Sequence, residues 1–417
     1  MPISFPLSPA LNQTYTYNSV TWTYNGKGWT KSPTAASALP TQTSNSGKYL
    51  TTNGTAASWG TLSVTPTAVS DQANTSTGAF DLPSGTTAQR PVSPTTGYTR
   101  INTTNNSLEV YSGTAWNTVQ YFGYITATGG VVTTSGDFKI HTFLSSDNFL
   151  ITSAPANATV DYLIVAGGGG GGSDMGGGGG GGGVLAGTNV VLTAGSHSIT
   201  VGAGGAGALA GSNQLAGTSG SNSIIYIPGG TALATAIGGG GGASDHDAAG
   251  APALNGGSGG GASGQNANRG LGTSGQGNNG ANSGGQWYPG GGGGAGAAGA
   301  TNPANGGVGI QNAINGTNLY WAGGGGGSGY TGYGGNGGQG GGGGGALSTS
   351  TQGLAGTGGL NTGTAGGVGG TVAQANVPGG NGGTNTGGGG GGGSHYTTNN
   401  FGGTGGSGIV IIKYRYQ

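Results

Sequence analysis

Seven uninterrupted runs of five to eight glycines limit what this chain can fold into: Gly167–Gly172, Gly176–Gly183, Gly238–Gly242, Gly290–Gly294, Gly323–Gly327, Gly340–Gly345 and Gly387–Gly393. Glycine has no side chain to bury, and ordering it costs more backbone entropy than any other residue. A run can therefore be held only through its own N–H and C=O groups. The extended three-fold helix, rising about 3.1 Å per residue, has no internal hydrogen bonds and points all of those groups sideways. Bare neighbouring helices can then bond backbone to backbone, with Cα–H···O contacts adding to them. The runs are thus read as polyglycine II-like segments of a lattice, with glycine-rich β packing and disorder as the alternatives. A flexible linker fits poorly, since the runs hold little serine and alternate with strand-like segments. Collagen fails because Gly-X-Y is not kept, and a calcium-binding β-helix fails for want of aspartates.

Composition divides the chain. Of 110 glycines in 417 residues, 97 follow residue 166, whereas ten of fifteen prolines and four of six tryptophans precede Val160. Lys+Arg and Asp+Glu are nine each, and between Met175 and Ile412 only Asp245, Asp247 and Arg269 are formally charged. Zero net charge argues against electrostatic capture of nucleic acid or acidic membranes. The lack of cysteine removes disulfides, thiolate zinc sites and iron–sulfur clusters. No window nears eighteen continuous apolar residues, so no membrane span is expected. The start, with neither a basic stretch nor an apolar run, is expected to carry no export signal.

The front part repeats a turn-and-tryptophan unit. Tyr15, Tyr17, Val20, Trp22 and Tyr24 alternate with polar residues ahead of Asn25-Gly26, a hairpin signal because that turn needs positive φ. Tyr24–Trp29 matches Tyr111–Trp116, and Asn53–Trp59 keeps the turn and the tryptophan. Such small units bury too little surface alone. Three chains wound about one axis would supply packing partners; a string of β-modules in a monomer is the other reading. The expected divisions are β-modules at 1–66, a linker or shaft at 67–79, a second module at 80–136 and a glycine-rich tip at 137–417.

In the back part, Val160–Val165 is nearly all apolar and predicts a central strand buried on both faces. Ile409–Tyr416 should join it in one sheet and close the domain. Further strands are expected at Val190–Thr193, Ser198–Val201, Ser223–Ile227 and Ala232–Ile237, with Ala194-Gly195 turning a hairpin between the first two. The fold class is all-β with polyglycine II-like segments framed by a β-sheet. Side chains return where the runs break: Trp287, Tyr288, Tyr320, Trp321, Tyr330, Tyr333, His395, Tyr396 and Phe401. Aromatic rings beside Asn and Ser suit carbohydrate or protein surfaces. They equally suit capping of the lattice ends.

VDYLIVAGGGGGG (Val160–Gly172), VVLTAGSHSITVGAGG (Val190–Gly205), TAIGGGGGA (Thr235–Ala243) and the final GGSGIVIIKYRY resemble the glycine-rich domain of tailed-phage tail fibres and related virion proteins. DFKIHTFLSSDNFLIT (Asp137–Thr152) resembles the segment that often precedes it. SGKYLTTNGTAASW (Ser46–Trp59) and the stretch Phe80–Trp116 look like modules of phage structural proteins, cyanobacterial and marine ones included. The resemblance implies a virion-surface fibre, often trimeric, with host recognition in distal loops. On that basis the N-terminal modules would attach to other virion proteins. The aromatic positions above would contact a host-surface glycan or protein. A polymerising extracellular structural fibre and a capsid decoration fibre are the alternatives.

Enzyme chemistry finds little material. G-x-G-x-x-G strings are bound to occur by chance in this composition, and no lysine between Lys139 and Lys413 could complete a P-loop. His141, His197, His246 and His395 lack a triad pattern, and Glu109 is the only glutamate, which argues against paired-carboxylate glycosidase chemistry. Asp245-His246-Asp247 is the one metal-like cluster, and adjacent loop residues rarely converge on one ion. A non-enzyme without cofactor or metal is expected.

Overall fold

The computed structural model describes residues 3–32, 40–61, 82–105, 107–119, 124–155, 158–209, 216–245, 250–265, 268–285, 287–330, 333–347, 351–369, 377–395 and 400–416. The chain forms two compact units, Met1–Asp81 and Leu82–Gln417. The expected linker at 67–79 lies outside the described residues. The fold is all-β; the described residues contain one 3-10 turn, Thr87–Gln89, and no helix long and apolar enough to cross a membrane.

In the first unit, β1 (Thr14–Tyr17), β2 (Val20–Tyr24) and β3 (Trp29–Lys31) form an antiparallel meander. Asn18 and Ser19, both at positive φ, make the two-residue β1–β2 turn. Phe5 stacks on Trp29 with ring centroids 5.1 Å apart and sets its edge to Tyr15 and Trp22. A second hairpin joins β4 (Tyr49–Thr52) to β5 (Ala57–Gly60). The second unit opens with β6 (Ser84–Gly85), β7 (Thr99–Asn102), β8 (Ser107–Tyr111) and β9 (Trp116–Thr118) in one sheet. The three repeated motifs become three equivalent turns, closed by the pairs Tyr24–Trp29, Thr52–Ala57 and Tyr111–Trp116. Each has a positive-φ glycine at Gly26, Gly54 or Gly113.

Two five-stranded sheets follow. One runs β10 (Thr126–Thr128), β13 (Asp147–Ser153), β16 (Gly195–Thr200), β17 (Ser223–Tyr226), β18 (Ala232–Ala236). The other runs β11 (Val131–Ser135), β12 (Phe138–Phe143), β21 (Ile409–Arg415), β14 (Thr159–Val165), β15 (Val184–Val191), with a separate hairpin of β19 (Ile310–Asn312) and β20 (Leu319–Trp321). As the sequence predicts, β14 and β21 are central and paired, Val160 opposite Tyr414 and Val165 opposite Ile409. Their alternate residues feed two cores. Val160, Ile164, Val410, Ile412 and Tyr414 face Phe149, Ile151, Ile199 and Ile225 of the other sheet. Leu163, Val165, Ile409 and Ile411 face Ile314 and Trp321.

Two expectations are corrected. β10 and β11 pair with β13 and β12, so the frame begins ahead of residue 137. β15 and β16 form no hairpin, because β15 pairs with β14 and β16 with β13. Leu192, buried between them, sits in the first core where the chain passes from one sheet to the other.

The glycine runs form the lattice. Along Gly167–Gly172 the acceptor changes with a period of three. Gly167 and Gly170 donate to Ser221 and Thr218, Gly168 and Gly171 to Gly406 and Gly403, and Gly169 and Gly172 to Gly180 and Gly177, all at 2.8–3.0 Å. The carbonyls of the same run accept from Gly239 and Gly242, Gly205 and Ala208, and Gly390 and Gly393. Falling partner numbers mark antiparallel neighbours and rising ones parallel neighbours. This run therefore has six neighbours, three of each sense, and none of its glycines takes a positive φ. A three-fold helix surrounded on every side has no room for a side chain. A Cβ on Gly169 or Gly171 would lie 2.2 or 1.9 Å from a carbonyl oxygen.

Peripheral segments obey a weaker rule. Ala203, Ala206 and Leu209 are exposed while Gly202, Gly205 and Ala208 are buried. Likewise Gly363, Gly366 and Gly369 are buried and Val368 is exposed. With one side open, one position in three can carry a side chain at 202–209, where a Cβ on Gly204 or Gly207 would still lie 1.9 or 1.8 Å from a carbonyl oxygen. The irregular spacing of glycine thus records how many sides of each segment are covered. Gly340, Gly341 and Gly387, at positive φ, belong to turns rather than to the helices they precede.

One buried group makes the frame pH-sensitive. His141 is buried, with Nδ1–H donating to the Gly129 carbonyl (2.7 Å) and Nε2 accepting from the Tyr414 hydroxyl (3.0 Å). Burial lowers its pKa; the Gly129 bond opposes this and Lys139 adds to it. The unfolded chain therefore takes up this proton more readily than the folded one. Stability is at its full value above about pH 6.5, the unfolded value, and falls as the pH drops below it. Thermal melts at about pH 7.5 and 5 should show the lower midpoint at pH 5. His141→Gln should flatten that dependence; an equal slope in the variant would show that other groups cause it.

Candidate site at the far end of the lattice

The run Gly167–Gly172 leaves β14 and reverses through Ser173-Asp174-Met175 into Gly176–Gly183, which returns to β15. The reversal is tight: Gly172 N–H bonds Gly177 O (2.9 Å), and Asp174 and Met175 take positive φ. It defines the lattice end away from the sheets. Other segments reach the same level, since Gly264 donates to Met175, Ser328 to Gly176 and Gly393 to Gly172. Residues 283–285, 287–289, 301–304, 329–330, 333 and 394–395 therefore gather there.

Five expected residues meet at this end. Trp287, at φ +80°, lies over Tyr330 with centroids 4.7 Å apart and planes 31° apart. His395 sets its ring against both, at 5.5 and 5.8 Å. Its Nδ1 pairs with Asp174 Oδ1 at 2.6 Å, tying the first reversal to the end of the last run. Tyr288 is held by a short loop in which Gly284 N–H donates to Tyr288 O (2.9 Å) and Tyr288 N–H to Gly285 O (3.0 Å). It is 44% exposed, and Tyr333 across the adjoining cleft is 70% exposed.

Tyr320 and Trp321 lie elsewhere. They sit on β20 beside the frame, and Trp321 is wholly buried against Leu163, Val165, Ile409 and Ile411. The apolar outer face of β14 and β21 needs a cover, and this hairpin supplies it. Trp321 is therefore a packing residue, contrary to expectation, and Tyr320 is half-buried with its N–H bonded to Gly358 O (2.9 Å). Phe401 is half-buried, its carbonyl accepting from Gly379. Tyr396, His246 and Asp247 lie outside the described residues.

The cleft at this end measures about 290 Å³, and none of its described lining residues, among them Trp287, Tyr288, Thr301, Asn302, Ser328 and Tyr333, is charged. Asp174, Thr301, Asn302 and Ser328 were not among the residues singled out from sequence. Each stands where a glycine segment ends or breaks, the same signal that marks the aromatic rings. Asp245, also buried at this end, has its N–H bonded to the turn carbonyls of Ser173 and Asp174. Among the described residues no group of His, Cys, Asp and Glu is arranged to hold a metal.

Residues 145–383 match a family model described as a glycine-rich domain. That span begins just before β13 and stops short of the last run and β21, although both are integral to the lattice and the frame. No curated protein matches the chain.

Proposed function

We propose that this chain, which belongs to the glycine-rich domain family, is a non-enzymatic virion fibre protein that contacts a host surface through the far end of its lattice. The observation that carries the surface-binding part is the gathering of Trp287, Tyr288, Tyr330, Tyr333 and His395 from separate turns. A lattice whose backbone groups bond one another offers shape but almost no chemistry, so specificity falls to the connecting loops. The virion part rests on the phage-like motifs from Val160 to the final strand and on the front modules. In this reading those modules attach to other virion proteins and assemble the chain as a homotrimer.

The test is adsorption of the full chain to intact bacterial cells. Trp287→Ala with Tyr333→Ala should lower adsorption about tenfold or more, as loss of two interface aromatics does. Light scattering should still report three chains, and the melting temperature should hold. With so little charge at this end, adsorption by the parent should depend weakly on salt. Unchanged adsorption by the double variant would place the contact elsewhere. Recovery of the protein in filaments shed by intact cells would favour the polymerising structural fibre.

A further inference from the structure

The far-end cleft has features that neither lattice packing nor capping requires. Ser328 lines it, is 1% exposed, and its hydroxyl has no hydrogen-bond partner among the described residues. A buried hydroxyl left unpaired costs about 1–3 kcal/mol. Its chain neighbours Gly327 and Gly329 are glycines, so nothing in the packing demands a polar side chain there. Tyr333 and Tyr288 remain exposed on the rim. The volume lies at the lower end of the range for small-molecule sites, about 300 Å³.

These features select among ligand chemistries. A charged group would find no counter-charge on the lining and would be poorly desolvated there. An aliphatic side chain would cover the rings but leave the Ser328 hydroxyl unpaired. A ring with one apolar C–H face and hydroxyls around its edge satisfies both demands. Resting on the surface-binding reading above, we propose that the cleft is a saccharide subsite for one uncharged pyranose ring of a surface glycan. Tyr333 supplies the stacking face. The Ser328 hydroxyl and the Asn302 amide meet the sugar hydroxyls. Thr301, whose Oγ1 donates to Asn282 O (3.1 Å), keeps its lone pairs for a further one.

The experiment uses the full chain with methyl pyranosides of glucose, galactose, mannose and N-acetylglucosamine, and methyl glucuronide as the charged comparison. Saturation-transfer NMR and titration calorimetry read binding. At least one neutral pyranoside should bind, and the glucuronide should not. Tyr333→Ala should weaken binding about tenfold. Ser328→Ala should weaken it several-fold without lowering the melting temperature, because its hydroxyl bonds none of the described residues. Leu354→Ser, an exposed change at a peripheral segment, should leave it untouched. If no neutral pyranoside binds, or if binding survives Tyr333→Ala and Ser328→Ala unchanged, the assignment is overturned. Loss of cell adsorption in the double ring variant without any pyranoside binding would overturn the saccharide alone. Pyranoside binding with adsorption intact would overturn the host-contact reading and leave the subsite.

Discussion

Gly179→Val should abolish cooperative folding of the second unit. Gly179 sits in the middle of the longest run, and a Cβ there would lie 2.2 Å from the Gly169 carbonyl oxygen and 2.7 Å from its carbon. The obstacle is backbone, so no rotamer change relieves it. Six hydrogen-bonded neighbours surround the run, donating to or accepting from it through residues of 387–393, 237–243, 290–293, 325–328, 166–172 and 258–261. Overpacking a yielding core costs about 1–3 kcal/mol; a lattice whose members are fixed on all sides has less freedom and should lose more. A single methyl suffices at the periphery if it points inward. Gly353→Ala places its Cβ 1.9 Å from the Gly335 carbonyl oxygen, whereas Leu354, the next residue, is 61% exposed. Thermal melting should fall steeply for Gly353→Ala and stay within error for Leu354→Ser. Gly28→Ala, in the first unit and with open space around it, separates loss of glycine from loss of lattice. If Gly179→Val melts like the parent, backbone-to-backbone packing does not hold this unit together.

Glu109→Gln should selectively loosen the sheet of β6 to β9. Glu109 is fully buried; its carboxylate accepts from Arg90 Nη2 (2.6 Å) and Nε (3.2 Å) and from Asn102 Nδ2 (3.0 Å), with Arg100 Nη1 3.6 Å away. The Arg90 bonds hold its pKa below the usual carboxylate value against the opposing effect of burial, helped by Asn102 and Arg100. Its stabilising contribution is therefore present above that value and lost as the pH falls through the folded one. Removing the charge leaves Arg100, only 5% exposed, without its counter-ion. Hydrogen exchange of β7 and β8 amides should quicken on the order of a hundredfold. Amides of β14 and β21 report on a separate core. Unchanged protection in β7 and β8 would mean that the turns and Trp116 hold the module without the ion pair.

Short-range chemistry was legible because its causes lie within a few residues. The turns Asn25-Gly26, Asn53-Gly54 and Ser112-Gly113 put their glycines at positive φ, and the three tryptophan hairpins follow from them. Tyr162–Val165 and Ile409–Ile412 are apolar at consecutive positions, which makes sense only for strands covered on both faces. The β15–β16 connection was misread because a turn-like Ala194-Gly195 looks alike whether the chain folds back within a sheet or crosses between two. The aromatic inserts were found as breaks in glycine, but a break does not say which end of the lattice it occupies. Trp287 went to the open end and Trp321 beneath the frame.

The sequence by itself determined that the glycine runs could be ordered only through their backbone, since they have nothing else to offer. It also determined where central strands and tight turns had to form. Only the tertiary structure decided which segments are surrounded and which lie at the edge. Gly167–Gly172 is bonded to six neighbours drawn from residues 177 to 406, while Gly353 and Gly363 begin segments that keep one open side. A three-fold helix presents the same backbone on each of its three faces. Which faces tolerate a side chain is therefore set by neighbours distant in sequence: the spacing of glycine records how many sides are covered, but not which segments cover them.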